Sequence, residues 1–312
     1  MRVFRDWRGL PEDARGATVA LGNFDGVHIG HAAVLRAAHA ARPDAALAVL
    51  TFEPHPREVF RPDDPPFRLT LAPERADALA TLGVGMLYEL PFDHAFSLMP
   101  AEAFVTEVLH QGLGARHLAS GPDFAFGHRK GGDTPFLARR AEALGIGLTL
   151  VPRVEDAGGP LASSRIRRAL QEGYPERAAE ALGRPWAIRG EVAHGDKRGR
   201  IIGFPTANIA LGRHLEPARG VYAVTVRLPD GMERGGAANL GRRPTVNAGP
   251  ESRLEVNIFE FDGDLYGAEL TVALRHYIRP EVKFGGLDEL KAQIGKDAAE
   301  ARRLLTDRPD AK

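Results

Sequence analysis

Two histidines, His28 and His31, stand in a glycine-bearing stretch that covers residues 22–31. An apolar segment precedes the stretch and a helix-like segment, residues 32–41, follows it, so the pattern predicts a strand, a turn and the start of a helix. Backbone N–H groups at such a helix start attract phosphate, and histidine rings can donate hydrogen bonds to charge that develops on phosphorus. The stretch therefore suits nucleotidyl transfer, although a tight turn with two surface histidines is the plainer interpretation.

A second candidate phosphate site lies at residues 194–208. The glycines there could form a flap over phosphates, and they are followed by Thr206 and Asn208, which point the same way from an extended chain. A hydroxyl and an amide carbonyl are hard oxygen ligands suited to Mg²⁺ on ATP. Further on, Glu255 alternates with Leu254 and Val256, so it faces away from their apolar side. Taken alone, such a carboxylate is typical of a solvent-facing residue.

A third group opens the helix predicted from residue 163. Its hydroxyls belong to Ser163 and Ser164, and its guanidinium groups to Arg165 and Arg167. Hydroxyls at the N-cap and cations one turn later can converge on an anion at the helix start. The alternative is a capped helix with a solvated basic face.

Two loops that follow apolar segments also carry unusual residues. His55 comes soon after residues 46–52, and Asp123 and Phe124 come soon after residues 117–120. Ordinary surface loops remain the alternative for both.

The surrounding pattern predicts the elements that would hold these residues. From residue 18 to about 182, strand-length apolar runs alternate with helical stretches. The runs are residues 18–21, 46–52, 86–90, 117–120 and 147–151, and the helical stretches include residues 72–82, 101–111, 135–144 and 170–182. This alternation favours a parallel sheet covered on both faces. Ligands of such sheets lie beyond the carboxyl ends of the strands. The pattern breaks at residues 183–185, after which strands without intervening helices indicate an antiparallel barrel or sandwich, closed by an amphipathic helix at residues 287–305. We therefore predict an α/β domain over residues 1–183 and a β domain over residues 184–312.

Composition limits the classes of protein to consider. The chain has 312 residues, 44% of them hydrophobic and 26% charged, with a formal net charge of +0 and no cysteine. It is long enough for two domains, and no global field draws it onto nucleic acid or an anionic membrane. The absence of cysteine excludes disulfides and thiolate metal sites. The charged start is unlike a signal peptide and no apolar run has the length of a bilayer span, so we expect a cytoplasmic protein with small-molecule partners.

The motifs resemble one family in both halves. The string Gly-Asn-Phe-Asp-Gly-Val-His-x-Gly-His at residues 22–31 resembles the class I nucleotidyltransferase signature, and in its full length the flavin branch of that superfamily, the bacterial bifunctional riboflavin kinase/FAD synthetases. The stretch 194–208, the strand Gly-Val-Tyr-Ala, residues 239–245 and 279–284, and the last helix resemble a riboflavin kinase domain. His-Ile-Gly-His also matches class I aminoacyl-tRNA synthetases. The chain lacks their Lys-Met-Ser-Lys-Ser-like loop and any net positive charge, which disfavours that alternative.

The resemblance implies a Rossmann-like nucleotidyltransferase domain and a riboflavin kinase barrel that together convert riboflavin to FMN and FMN to FAD, with ATP and Mg²⁺ and with FMN and FAD available for delivery to apo-flavoproteins. It implies these roles: Glu255 as the kinase base; His28 and His31 as catalytic residues of adenylyl transfer; Gly22, Phe24, Gly30, Ser163, Ser164, Arg165 and Arg167 at the ATP phosphates; His55, Asp123 and Phe124 at the flavin; Gly195, Gly199, Gly203, Pro205 and Thr206 at the kinase ATP; Thr206 and Asn208 at the metal.

The sequence departs from the family pattern at three positions. Ala162 stands where a serine is usual, Ser164 where a threonine is usual, and Asn257 where a histidine is usual. A non-catalytic flavin sensor is the remaining alternative. The presence of Thr206, Asn208 and Glu255 together argues against it.

Overall fold

The structure is a computed structural model that describes residues 1–194, 204–243 and 251–306. Contacts divide the chain into two compact units, one of residues 1–65 and 70–162 and the other of residues 66–69 and 163–312. The first is called the sheet unit here and the second the barrel unit. The predicted boundary at residue 183 stays a prediction, since the two helices that precede it group with the barrel unit. No helix of the described residues is long and apolar enough to cross a bilayer.

The sheet unit contains six parallel strands in the order β1-β4-β3-β2-β5-β6. The strands are β1 Arg2–Phe4, β2 Thr18–Leu21, β3 Leu47–Glu53, β4 Met86–Pro91, β5 His117–Ser120 and β6 Gly147–Leu150. Short apolar runs bounded by turn residues are typical of strands buried on both faces, and all four residues of β2 are buried. A two-stranded hairpin, β7 Glu155–Asp156 and β8 Gly159–Pro160, follows.

Helices cover the sheet. They are α1 Ile29–Ala41, α2 Pro56–Phe60, α3 Ala72–Thr81, α4 His94–Ser97, α5 Ala101–Ala103 and α6 Thr134–Ala143. Alternate strand residues enter two different cores: Val19, Leu50 and Leu118 lie in one cluster, whereas Ala20 and Val49 lie in the other. The helix predicted over residues 101–111 is present, but from Phe104–Gly112 it has the wider π geometry.

The barrel unit contains a closed antiparallel barrel in the order β10-β13-β12-β11-β14-β9. Its strands are β9 Ala187–Ala193, β10 Ala207–Ala210, β11 Gly220–Arg227, β12 Glu233–Arg243, β13 Glu251–Ile258 and β14 Glu269–Arg279. Buried and half-buried residues alternate over residues 253–258 of β13 and 270–275 of β14, as expected when one face of each strand fills the barrel. The predicted class, a parallel sheet followed by an antiparallel barrel, is confirmed. The sandwich alternative is excluded because the barrel closes.

Three helices complete the barrel unit: α7 Ser163–Gln171, α8 Pro175–Leu182 and α9 Leu287–Thr306. The prediction of continuous helix from residue 170 to 182 was wrong, since Gly173 has φ +82° and separates α7 from α8. The closing helix α9 is present as predicted. Its buried Ala298 and Ala301 pack with Ala223 and Phe259 of the barrel.

Candidate functional sites

The turn after β2 is held in place by hydrogen bonds within the sheet unit. The Asp25 carboxylate is buried and its Oδ1 accepts a hydrogen bond from the Thr70 backbone N–H at 3.1 Å, while the Gly26 N–H donates to Thr70 Oγ1 at 3.0 Å. The backbone has positive φ at Phe24 and Val27, +51° and +45°. Such strained positions persist only where their surroundings hold them, and they cluster at functional sites. The turn is therefore preorganised before any ligand arrives.

His28 and His31 fix each other at the start of α1. The His31 N–H donates to His28 Nδ1 at 3.3 Å and the His28 N–H donates to His31 Nδ1 at 3.2 Å. The two rings stack with their centroids 3.7 Å apart. Because each Nδ1 accepts a hydrogen bond, the proton of each neutral ring is on Nε2. The geometry thus presets two Nε2–H donors at the N-terminal end of a helix, where anions are stabilised.

Three of the other predicted residues, Gly22, Phe24 and Gly30, support the histidine pair by their packing. The Phe24 ring is buried in the core, with its centroid 4.9 Å from that of the His31 ring. At Gly30, a Cβ atom would lie 3.0 Å from the His28 ring and 3.4 Å from the Leu161 carbonyl oxygen. Any larger residue at position 30 would displace that ring, which explains why glycine is needed between the histidines. Gly22 is similar, since its Cβ would approach Phe24 at 3.3 Å.

The strand order brings the other predicted loops to the same edge of the sheet. β2 lies between β3 and β5, and the chain direction across the sheet reverses between β2 and β5. Ligands of open parallel sheets bind at such a switch point, beyond the carboxyl ends of the strands. Residue 55 follows β3, the histidine turn follows β2, and residues 123–124 follow β5. The sequence could not show that these three strands are neighbours.

His55 and Asp123 have partners of their own within the sheet unit. His55 is buried and caps α2, accepting the Arg57 N–H on Nδ1 at 3.1 Å. Asp123 is exposed and pairs with Arg153 through two hydrogen bonds of 2.8 and 2.6 Å. The Arg153 guanidinium holds the pKa of that carboxyl below its usual value. Phe124 stacks on Phe126 with ring centroids 5.3 Å apart, so its ring offers a flat apolar surface beside the loop.

The predicted anion-binding group at the start of α7 belongs to the barrel unit. The helix begins at Ser163, so the serine hydroxyls lie in its first turn and not at the position before it, which is Ala162. Arg167 donates from Nε to the Phe67 carbonyl oxygen at 2.8 Å, and its guanidinium carbon lies 5.3 Å from the Phe67 ring centroid. Arg165 is half-buried. The phosphate role of these residues stays a prediction.

In the barrel, Glu255 lies in a row of polar residues that crosses three strands. Glu255 on β13 is directly opposite Asn208 on β10 and directly opposite Asn239 on β12. Directly opposite residues of antiparallel strands share a face and have Cβ atoms about 5 Å apart. Glu255 is half-buried, between the buried Leu254 and Val256. The row therefore places a carboxylate beside the predicted metal ligand.

The side-chain oxygen of Asn208 is buried without a hydrogen-bond donor from the described residues. The side chain is 5% exposed, and its Oδ1 has no hydrogen-bond donor among residues 1–194, 204–243 and 251–306. A buried polar atom without a partner costs free energy unless a ligand satisfies it. Two residues earlier lies the half-buried Thr206. An amide oxygen and a hydroxyl at this spacing fit the hard oxygen ligands that Mg²⁺ takes.

The segment that carries these predicted ligands is anchored to β13. Asn257 donates from Nδ2 to the Pro205 carbonyl oxygen at 2.9 Å. Asparagine at this position, where histidine is usual, thus supplies a donor that holds residues 205–206 against the barrel. Gly195, Gly199 and Gly203 lie outside the described residues, as do residues 244–245.

A cavity of about 260 Å³ opens beside this segment. It is lined by Val192, Pro205, Thr206, Ala207, Asn208, Val256, Ile258 and residues 261–266. The sequence did not single out the turn at residues 261–266 or Asn239 as part of a site. Asn239 was within a family-like string, but only the pairing of β12 with β13 shows that it adjoins Glu255.

Comparisons with known proteins agree with the two architectures. The family described as FAD synthetase matches residues 10–165, and the family described as riboflavin kinase matches residues 182–305. The bifunctional riboflavin kinase/FMN adenylyltransferase of Escherichia coli (strain K12) is 40% identical over 308 residues, 98% of each chain. The protein of the same description from Pseudomonas fluorescens is 40% identical over 309 residues, 97% of this chain and 98% of the relative.

A solved structure titled as a macrolide-efflux protein from Streptococcus pneumoniae has the same fold, with a TM-score of 0.86 and 34% identity over 96% of this chain and 98% of its own. The structural likeness spans both units, as the sequence matches do. This chain belongs to the family of bifunctional riboflavin kinase/FMN adenylyltransferases.

Proposed function

We propose that the barrel unit transfers the γ-phosphoryl group of ATP to riboflavin, and that the sheet unit then transfers the adenylyl group of a second ATP to the FMN formed. The products are FMN with ADP, and then FAD with pyrophosphate. The observation that supports this most is the register of the barrel, which sets Glu255 directly opposite Asn208. A base beside a metal-binding amide is what phosphorylation of an alcohol requires.

In the kinase reaction, a primary alcohol of riboflavin attacks the ATP γ-phosphorus. An alcohol is a weak nucleophile near neutral pH, so Glu255 accepts its proton as the new O–P bond forms and the bond to the bridging oxygen of ADP breaks. Thr206 and Asn208 would hold Mg²⁺, which when bound neutralises charge on the ATP phosphates. Gly195, Gly199, Gly203 and Pro205 would cover those phosphates.

Adenylyl transfer needs no base. The phosphate of FMN has a second pKa of about 6 and is largely ionised at neutral pH, so its oxygen attacks the ATP α-phosphorus directly while pyrophosphate leaves. The Nε2–H groups of His28 and His31 stabilise the charge that builds on the phosphoryl oxygens. Gly22, Phe24 and Gly30 shape the turn around the phosphates. Ser163, Ser164, Arg165 and Arg167 serve the triphosphate, and His55, Asp123 and Phe124 seat the flavin.

Two further assignments rest on the same activities. The protein works in the cytoplasm, as the lack of cysteine and the use of ATP in both steps favour. It passes FMN and FAD to apo-flavoproteins, for which both products are the cofactors.

One incubation tests the proposal. The full chain is mixed with riboflavin, ATP and Mg²⁺, and the flavins are separated by chromatography over time. We expect FMN to form first and FAD to follow, and both reactions to stop when the metal is removed with a chelator. A protein that binds flavin but leaves riboflavin unchanged would instead be a flavin-binding regulator, and the proposal would be wrong.

A further inference from the structure

Glu255 is flanked by an amide on each side. Asn208 lies directly across from it on β10, and Asn239 lies directly across from it on β12. The proposed function accounts for the first amide through the metal and the ATP phosphates. It gives no role to Asn239.

Asn239 and Glu281 border the same space next to this row. A Cβ atom built on Gly241 would lie 2.5 Å from Glu281 Oε1 and 3.4 Å from Asn239 Nδ2. Glycine at position 241 therefore leaves room for the carboxylate to lie next to the amide. Within the described part of the chain, neither of these side chains forms a hydrogen bond or an ion pair. An amide and a carboxylate side by side can thus turn their polar atoms toward a ligand.

The line along which the phosphoryl group is transferred indicates which part of the substrate lies there. In phosphoryl transfer, the attacking oxygen, the phosphorus and the leaving oxygen are roughly in line. In the proposed function the phosphates lie on the Asn208 side of Glu255, which leaves the opposite side, toward Asn239, for the chain that carries the attacking hydroxyl. In riboflavin that chain is a polyol, with a hydroxyl on each of the three carbons that follow the reacting one.

We propose that Asn239 and Glu281 bind the hydroxyl groups of the riboflavin side chain and so select flavins that carry a polyol. This inference rests on the proposed kinase function of the barrel. The Asn239 amide can donate to one hydroxyl and accept from another, and the Glu281 carboxylate accepts from a third. Sites built to hydrogen-bond a substrate hydroxyl discriminate strongly against analogues that lack it.

The test compares Asn239→Ala and Glu281→Gln with the parent chain, and uses Thr225→Ala as a matched control. Thr225 is a half-buried polar residue on the neighbouring strand β11, opposite Gly235 and away from Glu255. Initial rates of FMN formation give KM for riboflavin and for ATP. Lumiflavin, which has the flavin ring but no polyol, is added as a competing inhibitor of the same reaction.

We expect KM for riboflavin to rise about 5- to 10-fold in each of the two variants, the effect of one lost hydrogen bond. KM for ATP and the inhibition constant of lumiflavin should stay within about 2-fold of the parent values, and Thr225→Ala should change none of the three. FAD formation from supplied FMN should be normal in all variants, which shows that the sheet unit is intact, and the unchanged KM for ATP shows that the barrel is folded.

Several results would overturn the inference. If riboflavin KM does not change, Asn239 and Glu281 do not contact the substrate. If lumiflavin inhibition weakens as much as riboflavin binding, the residues affect the ring or the fold and not the polyol. A parent chain that forms no FMN would refute the proposed kinase function and the inference with it, whereas an active parent with unaltered variants refutes the inference alone.

Discussion

Glu255 is the residue whose role separates the two reactions most sharply. Gln is nearly isosteric with Glu and keeps an oxygen acceptor, so Glu255→Gln should leave the barrel and its strand pairing with Asn208 intact. It removes the proton acceptor, and we expect FMN formation from riboflavin to fall roughly 100- to 10,000-fold. FAD formation from supplied FMN should hardly change, since that nucleophile is already anionic.

Both initial rates are measured on one preparation of Glu255→Gln, with folding checked by circular dichroism. A variant that phosphorylates riboflavin at close to the parent rate would show that Glu255 is not the base and is an ordinary solvent-facing carboxylate.

His28 and His31 give a second prediction at this scale. Replacing either with Ala should lower FAD formation from FMN by about 100-fold or more, the effect of removing one preorganised donor from a charged transition state. The two reciprocal hydrogen bonds couple the effects of the two substitutions, because loss of one ring also removes a hydrogen bond that fixes the other. The double variant should therefore lose less than the product of the two single effects.

Kinase turnover is the internal control for these histidine variants and should stay within a few-fold of the parent value. Equal losses in both reactions would indicate a folding defect. Strictly multiplicative losses would show that the two rings act independently, against the geometry.

At the level of the elements, β3 and β4 are joined at their carboxyl ends by a buried arginine. Arg75 has no exposed surface, and its guanidinium donates to Glu53 at 2.9 Å and to Glu89 at 2.8 Å. Arg75→Met would remove the buried cation that the two carboxylates share and leave the exposed Arg5 3.6 Å from Glu89. We expect a loss of about 3–5 kcal/mol in the free energy of unfolding. The measurement is the urea unfolding transition of the sheet unit within the full chain.

Arg36→Met is the matched control, since Arg36 is exposed on α1. Its effect should stay within about 0.5 kcal/mol. If the two variants unfold at the same urea concentration, the buried ion group contributes nothing to the sheet.

The sequence predicted most elements of the sheet because buried parallel strands have a strong apolar signature. Strands β2 and β5 match their predicted bounds, and β3, β4 and β6 differ by a residue or so at their ends. Strand β1 was missed because it has only three residues, mostly exposed, and pairs along one edge with β4. Strand β10 was not among the predicted strands, although extended chain was expected at Thr206 and Asn208, because the buried Asn208 interrupts its apolar run. Strand neighbours depend on long-range pairing, which no local pattern contains.

The candidate sites followed the same division. The residue types and spacings of the histidine turn and of Thr206 and Asn208 could be read from the sequence, since local geometry fixes them. The sequence could not show which residues contact one another. These contacts are the two Nδ1 hydrogen bonds between the histidines, the ion pair of Asp123 with Arg153, and the position of Asn239 beside Glu255. Each of these depends on residues or strands that meet only in the folded chain.

For the whole molecule, the segments that belong to the barrel unit decide which fragment should be active as a kinase without the sheet unit. The barrel unit holds more than the strands that follow residue 183. Trp186 donates from Nε1 to the Leu69 carbonyl oxygen at 2.8 Å, and His276 contacts Glu176 of α8 at 2.7 Å. Leu170 of α7 is buried and its carbonyl accepts the Ala218 N–H at 2.9 Å. Helices α7 and α8 thus belong to the core that supports the barrel.

A fragment of residues 184–312 should still phosphorylate riboflavin, because the barrel strands and α9 form their own core. It should be clearly less stable than a fragment of residues 163–312, which keeps the buried side chains of α7 and α8. Each buried leucine-sized side chain contributes about 1.5–3 kcal/mol, so the loss of several should lower the melting temperature by more than about 5 °C. Thermal unfolding and FMN formation are measured for both fragments side by side. A folded 184–312 fragment without kinase activity would contradict the assignment of the reaction to the barrel, and equal melting temperatures would contradict the support from α7 and α8.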